Sequence, residues 1–353
     1  MPGAPPRPRI PMATATNPAR KLFSSFKTLG LSAPQVRALM PDWWDDEAAT
    51  DEGGLLELQI LLARRLNVSL VSLQSQKPQP AFRSTTQRFK TVHPEGSSQL
   101  AVAASIGHGL AQLLASSCAS TPLQPPVDAD TLRKDLLKNN EAVTLDALCE
   151  WLWTAGIPVV HVTGWPDGLR RPDAMCVRAS GRPVVIVVRK ETALAKLAYL
   201  IAHEAGHIMN GHLSCDENAV LVDDTLSVDS QQSFFDQDEK QADAYAMTLL
   251  GGSALFASSK KLVGPDYSEM SLAAAALGEA QKAKLDAGQV ILSWARLTED
   301  WKLANLALRF LKTTEIAPVV INDVAKRHMN FEMLPNDGLD HIFKLTGMDL
   351  RSI

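Results

Sequence analysis

The chain has 353 residues, of which 46% are hydrophobic and 21% charged, and its formal net charge is −4. This composition is typical of a globular protein with two or three compact units, and it excludes a disordered or fibrous chain. The slightly acidic balance also excludes a basic field over the whole surface, the feature that drives non-specific binding to nucleic acid.

The first segment of the chain, residues 1–19, is rich in proline and lacks the apolar core of a secretory signal. We predict a disordered arm there. The four cysteines of the chain are widely spaced and form no C-x-x-C pair, so no disulfide framework is expected. Both features favour a reducing, cytoplasmic compartment.

Residues 20–76 are predicted to form a helical domain, because their apolar side chains recur largely at helical spacing. Within this region, segment 63–69 resembles the final helix of repressor-type helix-turn-helix domains. Residues 1–40 carry six basic side chains and no acidic one, which suits a phosphate backbone, but an acidic cluster follows at 42–52. Two interpretations stay open: DNA binding, or a small helical module that binds proteins.

The polar segment 77–97, which contains three prolines, is predicted to be a linker, and a second domain begins near Ser98. The stretch 100–120 is close in composition to a membrane span. Its histidine, glutamine and serine side chains are too polar for lipid, so we predict a buried helix and no membrane contact. A further helical region is predicted over 128–154.

The periodicity then changes to short β-branched runs at 157–162, 174–178 and 183–189, with a Ser-Gly turn signal between the last two. We predict a small sheet that contains a hairpin. Residues 183–188 have two interpretations. They form either an exposed edge that binds a substrate backbone by strand addition or an interior strand.

Helical patterns return at 192–211 and 239–250, and they dominate 253–353. We predict that 98–252 is the domain that carries the chemistry, and that 253–353 is a helical domain for sensing a signal or docking a substrate. The predicted fold class is α+β and mainly helical, with a short β-sheet in the central domain and helical regions on both sides of it.

Two histidines in the helix predicted over 192–211 have the spacing of a metal site. His203 and His207 are four residues apart, so their rings project from one face of the helix and can bind one tetrahedral ion. Glu204 lies on the same turn, where a carboxylate can take a proton from a zinc-bound water molecule. This combination predicts hydrolysis that depends on Zn²⁺.

A catalytic zinc site needs a third protein ligand, on an element that packs against the first helix. Glu239 is the candidate for this ligand, because it and Asp243 share one face of the next helix. Asp243 is predicted to accept the outer N–H of His203 or His207 and so to fix the tautomer of that histidine. Small alanine side chains on the second helix would let the two helices approach closely.

Two more residues near the motif have alternative roles. His212 helps to stabilise the transition state, or it caps the end of the helix or lies exposed at the surface. Cys215 is close enough in sequence to occupy the open zinc position and silence the enzyme, or it is a buried structural thiol. A site closed by a fourth ligand would be structural rather than catalytic.

Five segments of the chain carry a family resemblance: GIPV at 156–159, GRPVVIV at 181–187, AHEAGHI at 202–208, GH at 211–212 and the helix at 239–246. In this order they resemble the motifs of the ImmA/IrrE family of bacterial metallopeptidases. The resemblance implies a thermolysin-like zinc domain with His203, His207 and Glu239 as ligands and Glu204 as the base. It covers about residues 144–251.

The resemblance also implies a partner. Members of this family cleave helix-turn-helix repressors and thereby switch on stress, mobile-element or defence genes, and many carry a helix-turn-helix segment in the same chain. The first hypothesis is therefore a cytoplasmic zinc endopeptidase that cleaves a partner protein such as a repressor. The second is a DNA-binding transcriptional regulator whose peptidase domain is secondary or inactive.

Overall fold

Local sequence signals account for where several helices begin. Side-chain oxygens of Ser32, Asp128, Thr144 and Asp286 each accept a hydrogen bond from the first turn of a helix.

The structure is a computed structural model, and it describes residues 17–83, 87–90, 97–121, 126–217, 219–223, 237–311 and 315–349. The helices are α1 (Pro18–Ser25), α2 (Ala33–Ala38), α3 (Glu52–Arg65), α4 (Leu70–Leu73), α5 (Ser97–Ser117), α6 (Ala129–Leu136), α7 (Leu145–Thr154), α8 (Leu194–Met209), α9 (Gln237–Leu250), α10 (Gly252–Lys261), α11 (Glu269–Ala283), α12 (Ala287–Thr298), α13 (Trp301–Leu308), α14 (Ala317–His328) and α15 (Asn336–Thr346).

The strands in the described ranges form one mixed sheet, and they are β1 (Gln87–Lys90), β2 (Val159–His161), β3 (Ala174–Ala179), β4 (Arg182–Val187) and β5 (Val220–Asp223). Their order in the sheet is β1-β5-β3-β4-β2. β3 is antiparallel to β4 and β5, whereas β1 pairs parallel with β5 and β2 pairs parallel with β4. Ser180 and Gly181 have φ values of 50° and 77°, the left-handed conformation of a two-residue hairpin turn. The predicted fold, α+β and mainly helical with a small sheet, is confirmed.

The apolar run at 183–188 forms most of β4, which lies in the interior of the sheet. The interpretation of this run as an exposed edge for substrate binding is therefore wrong. Helices cover both faces of the sheet: Met175 of β3 lies against Gly107 of α5, and the next residue, Cys176, contacts Glu204 of α8. A continuous apolar run is typical of a strand that is buried on both faces.

A side chain of α14 covers the outer edge of β2. Asn322 accepts a hydrogen bond from the His161 N–H at 2.8 Å, and its Nδ2 donates to the His161 carbonyl at 3.0 Å. These two bonds occupy the main-chain N–H and carbonyl of His161 in place of a neighbouring strand. The other outer strand, β1, lies inside the segment 77–97 that was predicted to be a linker. Its four residues are too few for alternation to show in the sequence.

Helix α5 is the buried helix predicted over 100–120. Of the helices that the structure describes, it alone is long and apolar enough to cross a membrane, and 78% of its most apolar stretch is buried inside the protein. A Cβ atom on Gly109 would lie 2.6 Å from the carbonyl oxygen of Arg65, so α5 packs directly on the backbone at the end of α3. On its other side α5 contacts the sheet, which makes it a core helix.

The buried apolar side chains fall into two clusters. The larger cluster contains side chains of α1–α9, of β2–β5, and of α14 and α15. The smaller cluster is formed by α10–α13, which we call the C-terminal bundle. Helix α14 returns to the larger cluster because apolar side chains such as Ile321 and Val324 are buried where it packs on α7 and β2. The predicted segment 253–353 thus contributes to both clusters, and the domain boundaries stay predictions.

Helices α1–α4 occupy the region predicted to be a helical domain, 20–76, but α1 begins at Pro18, so the predicted disordered arm 1–19 does not extend to residue 19. Residues 1–16 of that arm lie outside the described residues. Arg65, at the end of α3, is 3% exposed. Its guanidinium donates to the main-chain carbonyl of Asp337 at 3.0 Å and to the carboxylate of Asp340 at 3.1 Å. This basic side chain therefore joins the N-terminal helices to α15 and does not face solvent, where a DNA phosphate would bind. The helix-turn-helix assignment stays a prediction.

Candidate metal centre

The first part of the candidate metal centre lies on α8, a helix that is buried on almost every side. Alanine, leucine and isoleucine dominate its sequence, and Gly211, with φ of 75°, allows the chain to turn after its end. The side chains of His203, Glu204 and His207 are each 0% exposed. Polar groups that are buried so completely require hydrogen-bond partners or a metal ion.

The second part of the centre lies on α9, which packs directly against α8. A Cβ atom on Gly206 would lie 2.9 Å from both the Cα atom and the carbonyl oxygen of Ala242. The two backbones can approach this closely because one residue is glycine and the other has a minimal side chain. Glu239 lies three residues before Ala242 on α9, so this contact brings its carboxylate to the two histidines.

The donor atoms of the three side chains have separations that suit a tetrahedral ion. His203 Nε2 lies 3.0 Å from His207 Nε2 and 3.3 Å from Glu239 Oε2, and His207 Nε2 lies 3.4 Å from Glu239 Oε1. With zinc–ligand bonds of about 2.0–2.1 Å, the edges of a tetrahedron measure about 3.3–3.4 Å. The residues therefore fit one zinc-sized ion. Among the residues that the structure describes, these three side chains form the one group of His, Cys, Asp or Glu donors that lie close enough together to share a metal ion.

Asp243 holds the outer nitrogen of His203. Its Oδ1 lies 2.9 Å from His203 Nδ1 and also accepts a hydrogen bond from the Tyr199 hydroxyl at 2.6 Å. Burial acts to raise the pKa of Asp243, but the bonds from His203 and Tyr199 and the positive charge of Arg296 outweigh burial and lower it. As a carboxylate, Asp243 accepts the Nδ1 proton of His203, which leaves the Nε2 lone pair directed to the metal position.

His212 is the corresponding partner of His207. The two Nδ1 atoms lie 2.8 Å apart, and His212 Nε2 lies 2.8 Å from Gln241 Oε1. With Nε2 of His207 facing the metal position, its Nδ1 donates to His212, and the Nε2–H of His212 donates to Gln241. The His212 main-chain N–H also donates to the His207 carbonyl at 2.9 Å, a bond that ends the helix. His212 is 8% exposed, so the interpretation of it as a surface residue is wrong, and none of the roles predicted for it included this contact with His207.

Glu204 has a partner that the sequence analysis missed. The thiol of Cys176 in β3 donates to Glu204 Oε2 at 2.8 Å, and both side chains are fully buried. Cys176 is far from the motif in sequence and shows no ligand spacing with it. The sequence placed it at the centre of a predicted strand, but side chains of a strand alternate between the two faces of the sheet, so the sequence did not indicate that Cys176 faces α8.

Cys215 does not join the group of three donors. It lies after the end of α8 and is exposed, so the prediction of a buried thiol is wrong. The chain turns at Gly211 and runs along the surface before β5, which carries this side chain into solvent. The other sulfur of interest, that of Cys176, is the one that lies inside the site.

Comparisons with known proteins bear on the same region. Residues 122–280, a little under half of the chain, match the family model described as Peptidase U49. The matched segment contains the helices that carry His203, Glu204, His207 and Glu239. No curated protein and no solved structure matches the chain. Over the segment that holds the candidate metal centre, the chain is therefore similar to a family of peptidases.

Proposed function

We propose that the chain is a zinc-dependent endopeptidase with His203, His207 and Glu239 as ligands and Glu204 as the general base. The observation that supports this most directly is the spacing of 3.0–3.4 Å among the two histidine Nε2 atoms and the two carboxylate oxygens of Glu239, together with the partner on the outer nitrogen of each histidine. When bound there, zinc would polarise the substrate carbonyl and lower the pKa of a water molecule toward about 7.

A catalytic site fits these residues better than a structural one. Within the described ranges, the donor group comprises three side chains, with no fourth histidine, cysteine, aspartate or glutamate close enough to join it. Three protein ligands with a position left for water are the pattern of catalytic zinc, whereas structural sites have four.

Glu204 would transfer the proton. It follows His203 directly on α8, about 100° around the helix axis, so its carboxylate lies beside the ligands. The Cys176 thiol bonds to one carboxylate oxygen and thereby restricts the rotation of the group. A carboxylate held in this way can take a proton from the attacking water and later donate it to the leaving amine.

We further propose that the substrate is a partner protein, a helix-turn-helix repressor, cleaved in the cytoplasm to switch on a stress, mobile-element or defence response. The resemblance of the motifs to the ImmA/IrrE family supports this choice, and the matched peptidase family supports cleavage of a peptide bond. The burial of Arg65 counts against the alternative of a DNA-binding regulator. A salt titration of DNA binding tests that alternative, since phosphate contacts weaken as salt rises.

The decisive experiment is co-expression of the chain with the proteins encoded beside it, followed by a search for a cleaved fragment. The wild type should produce a fragment, and Glu204→Gln should not. Glutamine keeps an oxygen that accepts the Cys176 thiol, so the variant should fold and bind zinc at the wild-type stoichiometry. A fragment that persists with zinc-loaded Glu204→Gln would show that Glu204 is not the base and would overturn the proposal.

A further inference from the structure

The C-terminal bundle contacts the metal helix through α12. Gln289 of α12 donates through Nε2 to the carbonyl of Ala195 at 2.6 Å. A Cβ atom on the neighbouring Gly288 would lie 2.5 Å from the Ala195 Cβ, so this approach requires glycine. The bundle is therefore fitted closely to the first turn of α8, although its apolar core is separate from that of the rest of the protein.

The face of α8 that α12 contacts continues to the metal position. Ala195, Tyr199 and His203 are each four residues apart, so they lie in a row on one side of the helix. The first contacts Gln289, the second lies under Arg296 of α12, and the third is a donor of the metal centre. A displacement of α12 thus acts on the same row of side chains that ends at the metal.

The contacts along this row are continuous. The guanidinium carbon of Arg296 lies 4.3 Å from the centroid of the Tyr199 ring, and the same guanidinium contacts the sulfur of Met247 on α9. The Tyr199 hydroxyl donates to Asp243 Oδ1 at 2.6 Å, and that oxygen also receives His203 Nδ1 at 2.9 Å. Because Asp243 Oδ1 accepts both bonds, the Tyr199 hydroxyl holds the carboxylate oxygen that in turn orients the His203 ring.

We propose that the C-terminal bundle controls the metal affinity of the centre through Arg296 and Tyr199, which are positioning residues for Asp243 and, through it, for His203. This inference rests on the proposed metal centre. Tyr199 is 5% exposed, whereas the Asp243 side chain is 33% exposed, so without the bond from the fixed phenol hydroxyl the carboxylate is free to turn toward solvent. Docking of α12 therefore raises the metal affinity.

The test is the zinc affinity of Tyr199→Phe, measured in the full chain by competition with a chromogenic chelator. Loss of the hydroxyl should raise the dissociation constant about three- to tenfold, less than the 10–100-fold typical for loss of a residue bonded directly to a ligand. Tyr245→Phe is the matched control, because Tyr245 is also buried between helices but donates to the Val127 carbonyl at 2.9 Å. Its zinc affinity should equal that of the wild type.

A second pair of variants tests the part played by α12. Arg296→Met removes the charge above the Tyr199 ring and should raise the zinc dissociation constant about two- to fivefold, whereas Arg296→Lys keeps a cation there and should restore most of the affinity. Among these variants, only Tyr199→Phe and Arg296→Met should shift the absorption spectrum of the Co²⁺-loaded protein relative to that of the wild type. Thermal unfolding of the metal-free variants checks that each is folded.

The outcomes separate this inference from the proposed function. If the wild type binds zinc and Asp243→Asn weakens binding, but Tyr199→Phe and Arg296→Met bind as the wild type does, then the bundle has no influence on the metal and the inference fails alone. If the folded wild type does not bind zinc, the proposed metal centre is wrong and the inference falls with it.

Discussion

Replacement of Gly206 by alanine should push α9 away from α8 and weaken metal binding. A Cβ atom at this position would lie 2.9 Å from the Cα atom and from the carbonyl oxygen of Ala242, and 3.1 Å from the Cβ of Tyr245. Two of these three atoms belong to the backbone of α9, which cannot rotate aside as a flexible side chain could. The helices themselves must therefore separate.

The size of the effect follows from these contacts. Carbon atoms pack at about 3.5–4.0 Å, so α9 must move by roughly 0.5–1 Å. Overpacking of this kind costs about 1–3 kcal/mol, and the exchange of glycine for alanine inside a helix returns about 0.5–1 kcal/mol. The net loss of stability should lie between about 0 and 2.5 kcal/mol. Glu239 moves with α9, and metal–ligand distances tolerate only about 0.2 Å, so the zinc affinity should fall roughly tenfold or more.

Urea unfolding of the metal-free protein and chelator competition for zinc measure the two effects separately. Gly278→Ala is the matched control: it lies inside α11, and a Cβ atom there would meet nothing within 4 Å. This variant should gain about 0.5–1 kcal/mol in stability and keep its zinc affinity. If Gly206→Ala gains stability as Gly278→Ala does and binds zinc normally, the close contact of the helices does not set the position of Glu239.

Three further predictions concern other buried polar side chains. His212→Ala should weaken zinc binding about 10–100-fold in the chelator assay, since His207 loses its partner, whereas the exposed Cys215→Ala should not. Burial lowers the pKa of His341 well below 6.5, so the unfolded chain takes up this proton first as pH falls. Stability is then lost below about pH 6.5 by up to about 1.4 kcal/mol per pH unit, and urea midpoints of His341→Leu should show a shallower decline. Asn322→Ala should cost about 2–4 kcal/mol in urea unfolding because two main-chain groups of β2 lose their partner; a loss below about 1 kcal/mol would contradict this role.

The parts of the fold that depend on local patterns could be predicted from the sequence. The helix predicted over 192–211 is α8, and the one predicted over 239–250 is α9 with a start two residues earlier. The hairpin of β3 and β4 turns at the predicted Ser-Gly pair. Helical periodicity, a terminal glycine and a two-residue turn each act within a few residues, so each leaves a readable signal.

Features that depend on tertiary packing could not be predicted in the same way. The order of the strands, and with it the interior position of β4, follows from how distant segments pair. Cys176 reaches Glu204 only because β3 packs under α8, and Tyr199 reaches Asp243 only because α9 packs beside it. No spacing within one element records such contacts. The fully apolar run at 183–188 was nevertheless a usable signal for an interior strand.

The two histidines proposed as ligands, His203 and His207, show this difference inside one site. The partner of His207 is His212, which the end of the same helix places, so the support of this ligand is largely local in sequence. The partner of His203 is Asp243 on α9, and that carboxylate is held in turn by Tyr199 under a side chain of the C-terminal bundle. The motif on α8 therefore supplies two of the three proposed ligands by itself. The position of the third, Glu239, depends on the contact between Gly206 and α9. A single methyl group at this contact should be sufficient to weaken the site.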